Sequence, residues 1–132
     1  MIKVLVVEDS PTMGRLLRHV LEESPGIQVV GLASNGRQAV EMTLELQPDL
    51  ITMDAVMPDM DGMQVTQALR QTMSAPTCDM PVLALTASAN PVDHDRCLAA
   101  GMNDVLQKPL DEQQLISKIT NALAAHVARG QT

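Results

Sequence analysis

The 132 residues include no phenylalanine, tyrosine or tryptophan, so stacking of a flavin or a nucleobase on an aromatic side chain is excluded. Apolar filling falls instead on Leu, Val, Ile, Ala and ten Met, a residue that adapts to irregular gaps. Positive charge is scarce: nine basic residues against sixteen acidic ones give a net charge of −7. That balance argues against a nucleic-acid surface and suits a divalent cation or a basic partner. The two cysteines, Cys78 and Cys97, stand in neither a CxxC pair nor a metal-ligand spacing, and are expected as free thiols of a reducing compartment. No apolar run approaches the ~20 residues of a membrane span and no charged leader precedes Ile2, so a cytoplasmic protein is expected. The length fits one domain, residues 1–132, with a real core.

What the chain does contain is an alternation of short apolar runs with helical patterns, a βα repeat made five times. Strands are predicted at Ile2–Val7, Gln28–Ala33, Leu50–Met53, within Pro81–Ala87 and around Asp104–Leu106. Ser10 caps the first helix with Pro11 at its first position, and Met13, Leu16, Leu17, Val20 and Leu21 share a face until Pro25 and Gly26 end it. The second helix is predicted from Ser34-Asn-Gly36 to Gln47, with Ala39, Val40, Thr43 and Leu44 inward. The third carries Val65, Thr66, Leu69 and Met73 on one face, and Ser74–Met80 reads as a long surface connection. Pro91 opens a fourth helix to Ala100 with Gly101 as its stop; its Asp93, His94, Asp95 and Arg96 form a solvated face. Asp111 caps a last helix with Leu115, Ile116, Ile119, Leu123 and Val127 in one stripe.

The strand ends carry the chemistry. Leu50–Met53 ends in Asp54, followed by a Pro- and Gly-containing turn, and Val4–Val7 ends in Glu8 and Asp9. Alone, an Asp before Pro and Gly merely opens a turn. Two acidic strand ends in a parallel sheet, with strands about 4.8 Å apart, crowd their carboxylates unless a cation or a proton lies between them. Hard oxygen ligands of this kind suit Mg²⁺, and a phosphate could complete its shell. Thr86 adds a hydroxyl at a third strand end and Lys108 an ammonium at a fourth. A doubly wound sheet converges all of them on the crevice where open α/β sheets bind ligands.

In order and spacing, Glu8-Asp9, Asp54, Thr86 and Lys108-Pro109 resemble the receiver domain of two-component response regulators, and the resemblance spans essentially the whole chain. Up to Gly62 the chain looks like the receivers of chemotaxis methylesterases, and over Pro81–Leu110 like those of hybrid kinases. The resemblance implies a flavodoxin-like fold, a five-stranded parallel sheet in the order 2-1-3-4-5 with five helices. It also implies a phosphoacceptor at Asp54, a switch hydroxyl at Thr86, a phosphoryl-binding Lys108 and small Ala87 leaving room beside it. Mg²⁺, with Mn²⁺ as a substitute, would be held by Asp9, Asp54, Glu8 and the backbone carbonyl of Val56. Val56 and Ser88 would tune hydrolysis, and Val56, lacking a proton acceptor, implies a long-lived phosphoryl group. The implied partners are a histidine kinase or a histidine phosphotransfer protein, plus an output partner on the face of the fourth helix, fifth strand and fifth helix. The chain departs from the family pattern at Val105, where many receivers carry an aromatic ring, so no ring switch can operate.

Two rival functions are a Mg²⁺-dependent aspartyl-phosphate phosphohydrolase and a phosphorylation-independent interaction module. The first would call for a second carboxylate two residues after the nucleophile, where Val56 stands, and the intact Glu8, Asp9, Asp54, Thr86 and Lys108 argue against the second. The chain is therefore expected to be no enzyme beyond its own phosphotransfer and autophosphatase chemistry.

Overall fold

In a computed structural model, residues 2–55, 61–72, 80–87, 90–108 and 111–130 are described. Five strands alternate with five helices: β1 (Ile2–Val7), α1 (Pro11–Glu22), β2 (Ile27–Ala33), α2 (Gly36–Leu46), β3 (Leu50–Asp54), α3 (Gly62–Thr72), β4 (Val82–Thr86), α4 (Pro91–Ala99), β5 (Asp104–Gln107) and α5 (Glu112–Gly130). All pairings are parallel, in the order β2-β1-β3-β4-β5. The chain steps outward on one side of β1 to β2 and on the other to β3, so the β1/β3 boundary is the switch point at which such sheets open a crevice.

The central strands are apolar on both faces because both faces are covered. Leu5, Val7, Ile51, Met53 and Ala84 pack with Ala39, Val65, Leu69 and Cys97 of α2, α3 and α4. On the opposite face, Val4, Val6, Leu50, Leu83 and Leu85 pack with Leu17 and Leu21 of α1 and Leu115 and Ile119 of α5. Buried Met53, Met80 and Met102 take space that rings fill in other cores.

At every helix start a side-chain oxygen accepts from at least one of the free N–H groups. Met13 N–H donates to Ser10, Gln38 N–H to Asn35, Val92 N–H to Asn90 and Gln113 N–H to Asp111. At α3, Gln64 N–H donates to Asp61 while the Gln64 amide oxygen accepts from Asp61 N–H, a reciprocal capping box. The Arg70 guanidinium ties α3 to the lower ends of β4, α4 and β5, donating to the carbonyls of Met80 and Gly101 and to Asn103 Oδ1 at 2.6 to 3.2 Å.

The helical faces differ from the predicted ones at two residues. Leu16 is 53 % exposed and Leu44 58 % exposed, although helical spacing puts both inward. In α1 the inward arc is Gly14, Leu17 and Leu21, and in α2 it is Gly36, Ala39 and Thr43. Each arc is rotated from the predicted face far enough to leave the neighbouring leucine outside it. The expected contributions of Met73 and Val127 and the Ser74–Asp79 connection lie outside what is described.

Gly62 fixes the distance between α3 and the site strand. Its N–H donates to Ala55 O at 3.0 Å, and a Cβ there would stand 2.5 Å from the Asp54 carbonyl oxygen and 2.9 Å from Met53 Cγ. Gly62→Ala is therefore expected to destabilise the fold by about 1–3 kcal/mol in denaturant titration. Thr52 presents the opposite case. Wholly buried in β3, its Oγ1 has no hydrogen-bond partner, the only such buried side-chain atom among the described residues. Thr52→Val should raise stability by about 1 kcal/mol, since it removes a hydroxyl that was desolvated without compensation. An unchanged or lower urea midpoint would show that the hydroxyl is satisfied.

Candidate functional site

The ladder that builds the sheet also aims the site. Strand register sets Val7 beside Met53 and Asp54 beside Leu85, so β1 and β3 deliver Glu8, Asp9 and Asp54 to one end of the sheet. Glu8 N–H donates to Ala33 O and Ala55 N–H to Leu85 O, both at 2.9 Å, so pairing continues just past the strands and holds the acidic residues in place. Lys108 is fixed from β5 by its own N–H, which donates to Thr86 O at 2.7 Å.

One carboxylate oxygen each from Glu8, Asp9 and Asp54 lies within 4.8 Å of the others. Glu8 and Asp54 are buried, at 5 % and 6 % exposure, whereas Asp9 is exposed at the rim. The Lys108 ammonium lies 3.2 Å from Glu8 Oε2 and 3.7 Å from Asp54 Oδ1. Removing Lys108 leaves two buried carboxylates without their counterion, whereas removing one carboxylate leaves the ammonium paired with the other. Three carboxylates against one ammonium leave the cluster negative, and three convergent hard oxygens fit the preference of Mg²⁺ for few carboxylates plus water.

Thr86, buried at the end of β4, continues the parity of Ala84 toward the α4 side, whereas exposed Ala87 begins the loop. Val105 is half-buried and packs on the core cluster shared by α2, α3 and α4. Val56, Ser88 and Pro109 lie outside the described residues, as does Cys78. Cys97 is a free buried thiol. Burial, reinforced by the Asp93 carboxylate, pushes its pKa up.

Two features were not anticipated from the sequence. One is the Glu8–Lys108 ion pair, which spans a hundred residues and depends on the longer reach of Glu at the first acidic position. The other is the Arg70 clamp, whose partners are mostly backbone carbonyls and thus carry no sequence signal.

No helix of the described residues is long and apolar enough to cross a membrane. Residues 4–120 match the response regulator receiver domain family. Among curated proteins, a protein-glutamate methylesterase/protein-glutamine glutaminase of Syntrophus aciditrophicus is 44 % identical over 83 % of this chain and 31 % of its own length. The signal transduction histidine-protein kinase BarA of Escherichia coli is 38 % identical over 85 % of this chain and 12 % of its own. The chain thus spans about a third of the length of the methylesterase relatives it matches, and less of the kinase. Among solved structures, the response regulator domain of Thermotoga maritima CheB superposes with a TM-score of 0.84 at 31 % identity, covering 94 % of this chain and 97 % of that one. A receiver domain of a Syntrophus aciditrophicus histidine kinase gives 0.82 at 36 %, covering 95 % and 92 %. Both kinds of relative expected from the sequence are found, on the predicted five-stranded order, and the chain belongs to the response regulator receiver domains of two-component signalling.

Proposed function

We propose that Asp54 accepts a phosphoryl group from a phosphohistidine on a histidine kinase or a histidine phosphotransfer protein. The observation that carries this reading is the buried Asp54 carboxylate within 4.8 Å of Glu8 and Asp9 oxygens and 3.7 Å from the Lys108 ammonium. An Asp54 oxygen attacks phosphorus, the O–P bond forms as the N–P bond breaks, and the imidazole departs with the electron pair. Phosphoryl transfer depends mostly on position and charge neutralisation. Lys108 moves from Glu8 toward the new phosphoryl oxygens, the Thr86 hydroxyl donates to one of them, and Ala87 leaves room beside it. Mg²⁺ bound through Asp9, Asp54 and, directly or through water, Glu8, with the Val56 carbonyl, would neutralise charge on those oxygens, and Mn²⁺ would serve in its place.

Slow attack of water on the acyl phosphate resets Asp54, at a rate tuned by Val56 and Ser88. Val105 has no ring to rotate, so a displacement of Thr86 reaches an output partner through repacking of α4 and β5 against α5. In this reading the domain works in the cytoplasm, contacts no nucleic acid, and performs only its own phosphotransfer and dephosphorylation. Ester hydrolysis, named for relatives of which this chain spans a third, is not assigned to it.

With acetyl phosphate and Mg²⁺, intact-mass spectrometry should register one added phosphoryl group, and none in Asp54→Asn or in wild type with chelator. Equal labelling of Asp54→Asn and wild type would remove Asp54 from the role of acceptor.

A further inference from the structure

Between α3 and α4, beside the crevice, lies a cleft of about 290 Å³. Ala55, Met63, Ala87 and Cys97 make its walls largely apolar, and the Thr86 end of β4 lines it from the sheet side. Asp93 and Arg96 also line it, and they face each other, Oδ1 to Nη1, at 3.9 Å, so these two opposite charges offset one another. The thiol of Cys97, with its pKa raised by burial, adds no charge. A volume near the lower end of small-molecule sites, apolar walls and offset charge together select an uncharged, compact apolar guest. The chain has no aromatic side chain of its own with which to fill this space.

We propose that the α3–α4 cleft binds a small, compact, uncharged apolar molecule of the size of a single six-membered ring, and that its occupancy is linked to the position of Thr86. Binding stands on the cleft alone. The linkage rests on the phosphoacceptor reading: Thr86 lines the cleft, so a guest that favours one position of Thr86 favours one phosphorylation state, and reciprocally.

The probe is benzyl alcohol, with benzoate and benzylammonium as its charged counterparts, titrated into unphosphorylated protein carrying ¹³C-methyl methionine. Benzyl alcohol should shift the Met63 methyl saturably, with a dissociation constant on the order of 1 mM, and both ions should bind at least several-fold more weakly. Stronger binding of benzoate would make the site an Arg96 anion site and overturn the proposal, as would shifts confined to other methionines. Two further arms bear on location. In a Cys78→Ser background, benzyl alcohol should slow alkylation of Cys97 with the same saturation, and Cys97→Phe, which puts a ring into the cleft, should abolish the Met63 shift. An alkylation rate indifferent to benzyl alcohol overturns the assignment even if Cys97→Phe does not fold. Equal affinity before and after phosphorylation by acetyl phosphate would overturn the linkage and leave the binding site standing.

Discussion

Carboxylate crowding is the constraint on which the arrangement depends. Glu8, Asp9 and Asp54 are brought within 4.8 Å of one another with one nearby ammonium, that of Lys108. Like charges at that distance repel unless cations lie among them, and burial of Glu8 and Asp54 weakens the relief that water gives. The sheet bears this cost because its centre is secured elsewhere. Val4, Leu5, Val6, Val7, Leu50, Ile51 and Met53 are all fully buried, and at about 1.5–3 kcal/mol per large apolar side chain their burial opposes the repulsion at the ends of β1 and β3. Residual negative charge suits the cluster to a divalent cation.

The surrounding elements either hold that cluster or leave room for change beside it. Gly62 lets α3 close onto the carbonyl of Asp54, and Arg70 anchors the far end of α3 to the ends of β4, α4 and β5. α4 is held differently. It is short, with Cys97 its buried residue, and Val92 and Leu98 exposed, while a cleft separates it from α3 next to Thr86. One end of α4 is clamped through Gly101, while its Asp93, Arg96 and Cys97 line the same cleft as Thr86, so under the proposed function a displacement of Thr86 would meet α4 first. A methionine-rich, ringless core suits repacking there, because Met adjusts where an aromatic ring would jam.

Much of this was legible from residues alone, because the signals were local. Apolar runs ending in Glu8-Asp9, Asp54, Thr86 and Lys108 mark strand ends, and Ser10 and Asp111 mark helix starts, so strand bounds agreed to within one or two residues. Leu16 and Leu44 were misplaced because helical spacing alone does not fix how far the inward arc is rotated, and it centres on Gly14, Leu17 and Leu21 in α1 and on Gly36, Ala39 and Thr43 in α2. Asn35, Asp61 and Asn90 were not named as caps although their residue types allow it. The reach of Glu8 to Lys108, the carbonyls gathered by Arg70 and the cleft beside Cys97 are long-range packing outcomes, which no periodicity or spacing encodes.

The balance of charge at the site is most directly tested by thermal unfolding, followed by far-ultraviolet circular dichroism, of wild type, Asp54→Asn and Lys108→Ala in chelator and then in Mg²⁺. If three crowded carboxylates depend on one ammonium, Asp54→Asn melts above wild type in chelator, and Lys108→Ala melts below it by more than about 5 °C. Mg²⁺ should narrow both differences. A Lys108→Ala variant that melts with wild type in both buffers would contradict the account, placing Lys108 as a solvated charge beside a turn and leaving the acidic cluster without its counterion.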